Sequence, residues 1–207
     1  MRRQISNSTR NLKAKLARLK ARLYDRRLGI EVSGRTCNQC PDYSLDAEEH
    51  CYQPTFYGRL EKMIRYLKPT AEDVFVDLGC GKGRVVFFVA LQRLKKVIGV
   101  ELNKELYTIA RKNLANLRIN KTPVRLVNID AVNFDVREST IFFMFNPFGY
   151  KTLEGILRNI KESLVINPRK IRIVYYAPRF DYLLDGQDWL IREGKIENDA
   201  CLVWRNR

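Results

Sequence analysis

Several features are scarce in this sequence, and each scarcity narrows what the protein can be. The only histidine, His50, lies in a polar segment, so no histidine general base is evident. No apolar run, including the one that ends at Ala90, is long enough to cross a bilayer, and no charged stretch leads into the apolar core of a secretory signal. The five cysteines are an odd number, which without such a signal favours free thiols in a reducing compartment. We therefore expect a cytoplasmic protein without a disulfide framework.

Acidic residues are almost absent from the first 27 positions, and this concentrates the net charge. Of the formal charge of +15, residues 1–27 contribute +9, since they hold ten Lys or Arg residues and the single acid Asp25. The rest of the 207-residue chain contributes +6, and the apolar content of 45% is sufficient for one folded domain. The basic character therefore belongs mainly to an N-terminal tail, which we assign to residues 1–23.

The tail has the periodicity of an amphipathic helix. Its leucines are spaced four, three and four residues apart and are Leu12, Leu16, Leu19 and Leu23. Because Lys and Arg surround them, such a helix can lie on an anionic membrane surface, bind the phosphates of a nucleic acid, or pair with a partner. An acid-poor, arginine-rich start also resembles an organelle transit peptide. The alternative is that the leucines dock on the protein's own domain.

The stretch DLGCGKGR, residues 77–84, is the most informative part of the sequence. It follows a strand-like run, DVFVDLG, and precedes GRVVFFVALQRL, which has the length and periodicity of a helix. The turn holds three glycines that allow close approach of a ligand, Gly79, Gly81 and Gly83. Arg84 stands where the dinucleotide fingerprint needs its last glycine, and the carboxylate of Asp77 would repel a phosphate. The turn therefore favours a ligand that offers a cation or hydrogen-bond donors.

Two further acids end the next predicted strands. Glu101 closes the strand in KKVIGVELN, and Asp130 closes the strand in VRLVNIDA. Strands that alternate with helices predict a parallel sheet covered on both faces, with ligands bound at the carboxyl ends of the strands. Glu101 is then well placed to accept hydrogen bonds from both hydroxyls of a ribose, and Asp130 from the amino group of an adenine.

Together these residues resemble the class I S-adenosylmethionine-dependent methyltransferases over residues 52–204. The resemblance implies S-adenosyl-L-methionine as the cofactor and methyl transfer as the reaction. It also implies that the glycine turn with Asp77 holds the methionine and ribose part, that Glu101 holds the ribose hydroxyls, and that Asp130 and Ala131 meet the adenine.

The end of the chain points to the same fold. KIRIVYYA predicts a strand, and WLIREGKIENDACLVWRN predicts two strands joined by a polar turn around Gly194 to Asp199. Because a short turn makes a strand antiparallel to its neighbour, this resembles the reversed final hairpin of the methyltransferase sheet. We predict an α/β fold with a Rossmann-like, seven-stranded mixed sheet, helices on both faces and a reversed last strand, with the methyltransferase domain at residues 57–207.

The predicted fourth strand, TIFFMF, leads into NPFGY and brings Asn146, Pro147 and Phe148 beside the cofactor. This segment resembles the Asn-Pro-Pro-Phe/Tyr motif of amino-group methyltransferases, with one proline fewer, and equally the corresponding segment of the non-SET histone-lysine methyltransferases. The resemblance implies that Asn146, which also borders the cofactor, and a backbone carbonyl accept hydrogen bonds from the target amine while Phe148 stacks on it. Such acceptors would hold the nitrogen in line with the methyl group.

The predicted function is therefore N-methylation of an amino group on a macromolecule with an acidic surface. A protein lysine is the favoured acceptor, because of the basic tail and the Asn-Pro-Phe segment. A nucleic-acid base is the alternative acceptor, and a basic binding protein that uses the fold only as a scaffold is the alternative to an enzyme. An oxygen acceptor would need a base or a metal, for which the sequence shows no convincing set.

The segment before the domain also has a predicted role. YDRRLGIEVSGR and YQPT look like parts of a widespread group of small bacterial methyltransferases, which implies that residues 24–35 belong to the fold. We assign residues 24–56 to an N-terminal segment and cofactor lid. Tyr52 and Thr55 are expected to close over the methionine end of the cofactor.

A cluster of cysteines raises the question of zinc. Three thiols and an imidazole that could bind zinc occur in CNQCPDYSLDAEEHC and are Cys37, Cys40, His50 and Cys51. His50 and Cys51 are adjacent and would not easily bind one ion together, and the second half of a paired zinc knuckle is absent. We therefore favour free thiols and predict no metal. Cys80, within the glycine turn, is expected to pack as a small apolar side chain.

Overall fold

The computed structural model describes residues 2–34, 52–197 and 200–207, with side chains from residue 15 onward. The strands are β1 (Val74–Leu78), β2 (Lys96–Glu101), β3 (Val124–Asn128), β4 (Ile141–Phe145), β5 (Arg172–Tyr176), β6 (Leu190–Ile196) and β7 (Cys201–Asn206). The α-helices are α1 (Arg2–Leu28), α2 (Tyr57–Leu67), α3 (Arg84–Val89), α4 (Lys104–Asn116), α5 (Tyr150–Ile166) and α6 (Asp181–Asp185). A 3-10 helix, Ala131–Asn133, follows β3.

The seven strands form one mixed sheet in the order β3-β2-β1-β4-β5-β7-β6. β1 pairs in parallel with β2 and β4, and parallel pairs also join β2 to β3 and β4 to β5. β7 is antiparallel to both β5 and β6. The predicted fold, a Rossmann-like seven-stranded mixed sheet with a reversed last strand, is confirmed. The carboxyl ends of β1 to β5 consequently lie at one edge of the sheet.

Apolar side chains cover both faces of this sheet. One face presents Phe75 and Phe143 to a core that includes residues of α1, α2 and α3. The other face presents Val76 and Phe142 to a core that includes residues of α5 and α6. All five residues of β1 are buried, as expected for a central parallel strand, so helices on both faces are confirmed.

α1 continues without a break through the predicted boundary between residues 23 and 24. The Nζ of Lys20 lies 2.9 Å from an oxygen of Glu61, and Ala21 and Leu28 are buried, so α1 contacts the body of the protein on both sides of this boundary. The boundaries of the tail and the lid remain predictions.

Among residues 2–34, 52–197 and 200–207, no helix has both the length and the apolar character needed to cross a membrane.

The leucines of α1 that the structure describes do not dock on the domain. Leu16, Leu19 and Leu23 are 56%, 55% and 58% exposed. The interpretation in which they pack against the protein's own core is therefore wrong for these three residues. The docked face of the helix is instead the one that carries Ala21 and Leu28.

Two elements differ from the sequence prediction. α3 ends at Val89, five residues before the predicted end at Leu94, because the chain turns there and the Leu94 amide donates to Thr122 Oγ1 at 3.0 Å. Gly194 was expected in the final turn but lies within β6, next to a shift in the strand register. A side chain at this position would overlap with the hydroxyl of Tyr66, so the glycine allows close packing against α2.

Candidate active site

A cavity of about 600 Å³ lies at the carboxyl ends of β1, β2 and β4. Eleven of the twelve site residues predicted from the sequence line it: Tyr52, Thr55, Asp77, Gly79, Gly81, Glu101, Asp130, Ala131, Asn146, Pro147 and Phe148. Gly83 is the twelfth and does not line it. Residues up to 96 positions apart in the chain thus converge on one cavity, because the parallel strands end at the same edge.

The three glycines of the turn all have positive φ angles, 79° at Gly79, 55° at Gly81 and 89° at Gly83, which favour glycine. A Cβ at Gly79 would lie 2.6 Å from the Cβ of Pro147, and one at Gly81 would overlap with the ring of Tyr52. These two glycines therefore let the walls of the cavity approach the turn. A Cβ at Gly83 would overlap with Phe87 instead, so Gly83 serves the packing of α3.

Glu101 fixes the geometry between β1 and β2. It is the last residue of β2, is 8% exposed, and accepts hydrogen bonds from two backbone amides, Gly81 N at 2.7 Å and Asn103 N at 2.9 Å. Asn103 in turn caps α4 by accepting from the amide of Leu106. The carboxylate is thus held in one orientation beside the glycine turn.

Asp77 is a buried carboxyl group without a hydrogen-bond partner at Oδ2 among the described residues. It is 2% exposed, and burial together with the nearby Glu101 raises the pKa of Asp77 well above its usual value. A buried, unpartnered carboxyl group is costly, and a ligand that brings a cation or a donor would offset that cost. Asp77 therefore marks where the cavity is suited to a positively charged group.

The Asp77→Asn substitution is expected to stabilise the ligand-free protein, by an amount that grows with pH. The native carboxyl group keeps its proton to a higher pH than the unfolded chain does. The wild-type protein therefore loses up to about 1.4 kcal/mol per pH unit above about pH 3.9, until the native pKa is passed. Melting temperatures of both proteins, measured from acidic to alkaline pH, check this.

The control for that series is Asp135→Asn. Arg137 lowers the pKa of exposed Asp135 to about 2, so this carboxylate affects folding stability in the opposite direction. Its charge stabilises the folded protein at pH values above the unfolded pKa, and removing the charge can only destabilise the protein there. If the melting temperatures of the wild type and Asp77→Asn differed by the same amount at every pH, or if the variant were less stable, the assignment of a raised Asp77 pKa would be contradicted.

A buried ion pair lies beside the cavity, and one of its members, Arg84, lines it. Arg84 Nη2 lies 2.7 Å from Asp25 Oδ2, and the Tyr57 hydroxyl donates to Asp25 Oδ1 at 2.6 Å. Burial raises the pKa of Asp25, whereas Tyr57 and Arg84 lower it. Arg84 also donates to the carbonyl of Thr55 at 3.4 Å. No sequence pattern indicates Asp25 as a site residue, yet it connects the end of α1 to the glycine turn.

Tyr52 lines one side of the cavity. Its hydroxyl donates to the carbonyl of Val32 at 2.8 Å, and burial raises its pKa, so the phenol stays protonated. Lys82 donates to the carbonyl of Ser33 at 3.0 Å, and its Nζ lies 5.2 Å from the centre of the Tyr52 ring. Residues 32–33 are therefore attached to Tyr52 and to the glycine turn. Thr55, which also lines the cavity, is buried.

Asp130 and Ala131 form the wall of the cavity beyond Glu101. β3 ends at Asn128, two residues before Asp130, which caps the 3-10 helix by accepting from the Val132 amide at 3.0 Å. Asp130 is half-buried and Ala131 is buried. The predicted position of the acid at the edge of the sheet is confirmed, although it follows the strand and does not end it.

Asn146 has a strained backbone at the entrance to the segment that follows β4. Its φ is 42°, in the left-handed region, which asparagine tolerates better than most residues. Its Oδ1 accepts from the hydroxyl of Tyr175 at 3.1 Å, and burial raises the pKa of Tyr175, which remains a donor. Because an amide oxygen has two lone pairs, Oδ1 can accept a second hydrogen bond. Pro147 and Phe148 complete this wall.

Both cysteines in the described part of the chain are buried free thiols, Cys80 and Cys201. The Sγ of Cys80 fills the space left by Gly99, and burial raises its pKa well above the usual value, which confirms the expected packing role. Burial also raises the pKa of Cys201 to about 12. Within the described residues no group of three or more potential ligands could hold a metal. The cluster of Cys37, Cys40, His50 and Cys51 lies outside the described residues.

The strand order, the reversed β7 and the acids at the ends of β1 and β2 are those of the class I methyltransferase fold. The chain belongs to the family of the histone methylation protein DOT1, whose family model matches residues 37–140. This match includes Asp77, Glu101 and Asp130 and ends before Asn146.

Two relatives and one solved structure are similar to the chain. A histone H3 lysine-79-specific N-methyltransferase from Dictyostelium discoideum is 35% identical over 55% of this chain and 7% of its own length. A protein-lysine N-methyltransferase from Saccharolobus islandicus is 32% identical over 55% of this chain, and the match spans 64% of that protein. An RNA methyltransferase from Salinibacter ruber, solved with S-adenosyl-L-homocysteine, is 21% identical, with a TM-score of 0.53 over 74% of this chain and 92% of that one. This last likeness concerns the fold alone.

Proposed function

We propose that this protein is an S-adenosyl-L-methionine-dependent N-methyltransferase that modifies the side-chain amine of a lysine in a protein. The observation that carries the proposal is that Asn146, Pro147 and Phe148 line the same cavity as Asp77 and Glu101. The names of the Dictyostelium and Saccharolobus relatives, both lysine methyltransferases, support the choice of acceptor. Membership of the DOT1 family counts against a role as a mere binding scaffold.

The residues around the cavity fit the proposed cofactor. The unpartnered, buried carboxyl group of Asp77 would accept from its ammonium group, and Glu101, held by two amides, would accept from the ribose hydroxyls. Asp130 and Ala131 would border the adenine, and Tyr52 would cover the methionine end. When bound, S-adenosyl-L-methionine would supply a methyl group on a positively charged sulfur. A lysine ammonium that has lost its proton to solvent could then accept this methyl group, and the sulfur would leave as a neutral thioether.

The acceptor would be oriented by the segment after β4. Asn146 Oδ1 has Tyr175 as one donor and would take an N–H of the amine as the second, while Phe148 would pack against the alkyl chain. If Asn146 Oδ1 and a backbone carbonyl both accept from the N–H bonds of the amine, the lone pair of the nitrogen is left directed at the methyl group. Positioning would then supply most of the rate, since no proton has to be removed by a protein base.

The acceptor class is tested by methyl transfer from isotopically labelled cofactor. The full chain is incubated with extracted protein and, separately, with extracted RNA and DNA, and the products are hydrolysed and identified. We expect label in methyl-lysine. Label in a methylated base would instead support the second candidate, a nucleic-acid base methyltransferase, which the formal charge of +15 favours.

The Asn146→Gly substitution is expected to lower turnover by about 100-fold while changing cofactor affinity by less than about threefold. Glycine keeps the positive φ angle without strain, so the variant removes only the amide. Turnover is measured by label transfer and affinity by calorimetric titration. Tyr175→Phe, which removes the donor to Asn146 Oδ1 and leaves the amide, is expected to have a smaller effect. Equal losses of turnover and affinity in Asn146→Gly would mean that Asn146 serves the cofactor.

A further inference from the structure

The exposed leucines of α1 form an apolar stripe, Leu16, Leu19 and Leu23, that points away from the domain. On a helix with 3.6 residues per turn these three side chains share one face, whereas buried Ala21, Asp25 and Leu28 lie on the opposite face. More than half of each leucine is exposed. Three large apolar side chains along two turns that belong to neither core cluster form a surface that a partner could cover.

Cationic side chains flank this leucine stripe on both sides. The exposed basic residues of this part of α1 are Lys15, Arg18, Lys20, Arg22, Arg26 and Arg27. Asp25 is the only acid among residues 1–27, and it is turned inward and paired with Arg84. Glu61 of α2 accepts from Lys20 and is the acid in contact with this face at its edge. The outward face of α1 is therefore both apolar and positively charged.

The charges exclude a second copy of the chain as the occupant. Leucines spaced three and four residues apart could form the seam of a coiled coil. The positions beside that seam, however, are Lys15, Lys20 and Arg22, so a symmetric pair would bring like charges together. The phosphates of a nucleic acid would satisfy the cations but would leave the leucines in water.

We propose that α1 docks the protein on an anionic lipid bilayer. The leucine stripe would enter the boundary between head groups and acyl chains, and the flanking Lys and Arg side chains would extend to the anionic head groups. Both features of the face are then used, the apolar stripe and the cations at its edges. The inward face keeps its contacts with the domain, so docking needs no rearrangement of the fold.

The test is flotation of the full chain with vesicles of phosphatidylcholine alone and of phosphatidylcholine mixed with phosphatidylserine. We expect binding to the mixed vesicles that is at least about tenfold tighter than to phosphatidylcholine alone. Replacing the stripe, L16A/L19A/L23A, is expected to weaken binding to the mixed vesicles by at least about tenfold. The matched control is V165A/I166A at the exposed end of α5, where the side chains are 79% and 71% exposed, and it should bind like the wild type.

Each of three other results would overturn the proposal. Equal binding of L16A/L19A/L23A and wild type to the mixed vesicles would mean that adsorption is purely electrostatic. A dimer in sedimentation that the leucine changes abolish would mean that the stripe pairs copies of the chain. Absence of vesicle binding, together with salt-sensitive binding to duplex RNA or DNA that ignores the leucine changes, would make the face a nucleic-acid surface. Because the leucines are exposed, unchanged melting temperatures verify that the variants are folded.

Discussion

Replacing Glu101 with alanine is expected to weaken binding of S-adenosyl-L-methionine by at least about 100-fold while the protein stays folded. The carboxylate would form two hydrogen bonds with the ribose, and hydrogen bonds to a charged group contribute about 1.5–3 kcal/mol each. A loss of about 3 kcal/mol corresponds to about a 100-fold change in affinity. The substitution also removes the acceptor of the Gly81 and Asn103 amides. Two other amides of the glycine turn still donate to β2, which keeps the turn attached to the sheet.

Calorimetric titration of the variant with the cofactor checks this expectation. Asp135→Asn is the matched control, because Asp135 is exposed, pairs with Arg137, and does not line the cavity. It should bind the cofactor like the wild type. If Glu101→Ala retained wild-type affinity, the assignment of Glu101 to the ribose would be wrong, whatever the reaction of the protein.

Replacing Asp25 with alanine is expected to destabilise the fold by about 3–5 kcal/mol, the cost of leaving one member of a buried ion pair without its partner. Arg84 is 4% exposed and Asp25 is 6% exposed, so water cannot replace the missing carboxylate. For a chain of this length such a loss lowers the melting temperature by about 6–20 °C. Tyr57 would lose its acceptor as well.

A double-mutant cycle separates this effect from a general weakness of α1. Arg84→Met alone should also be costly, because it leaves Asp25 buried and unpaired. The combined Asp25→Ala and Arg84→Met variant should be more stable than either single variant, since neither charge is then left alone. If the losses of unfolding free energy in the two single variants simply added in the double variant, a direct interaction between Asp25 and Arg84 would be contradicted. Urea unfolding of all four proteins gives the required free energies.

The order of elements and most of the cavity can be predicted because their signals are local. Glu101 is found as the last residue of one predicted strand and Asp130 as the acid that follows the next one, and parallel pairing brings such residues to one edge of the sheet. The glycine turn is recognised from eight consecutive residues. Most residues of this site can therefore be predicted from patterns that span only a few residues of the sequence.

The remaining features depend on contacts between distant parts of the chain. Asp25 and Arg84 are 59 positions apart, and no pattern in either segment indicates that they pair. Gly83 belongs to the same motif as its neighbours, yet Phe87 occupies the space beside it and separates it from the cavity lining. Glycine is typical of turns, but Gly194 lies inside β6, where the close approach of Tyr66 leaves no room for a side chain. Exposure of the leucine stripe is likewise decided by which face of α1 meets the domain.

The most direct test of the proposed function is calorimetric titration of the wild-type chain with S-adenosyl-L-methionine and S-adenosyl-L-homocysteine, with NAD as the control. We predict micromolar binding of the first two ligands and none of NAD, because the buried carboxyl group of Asp77 beside the turn disfavours a pyrophosphate. Binding of NAD, or of none of the three ligands, would contradict the assignment of this cavity as the site of a methyl-donor cofactor.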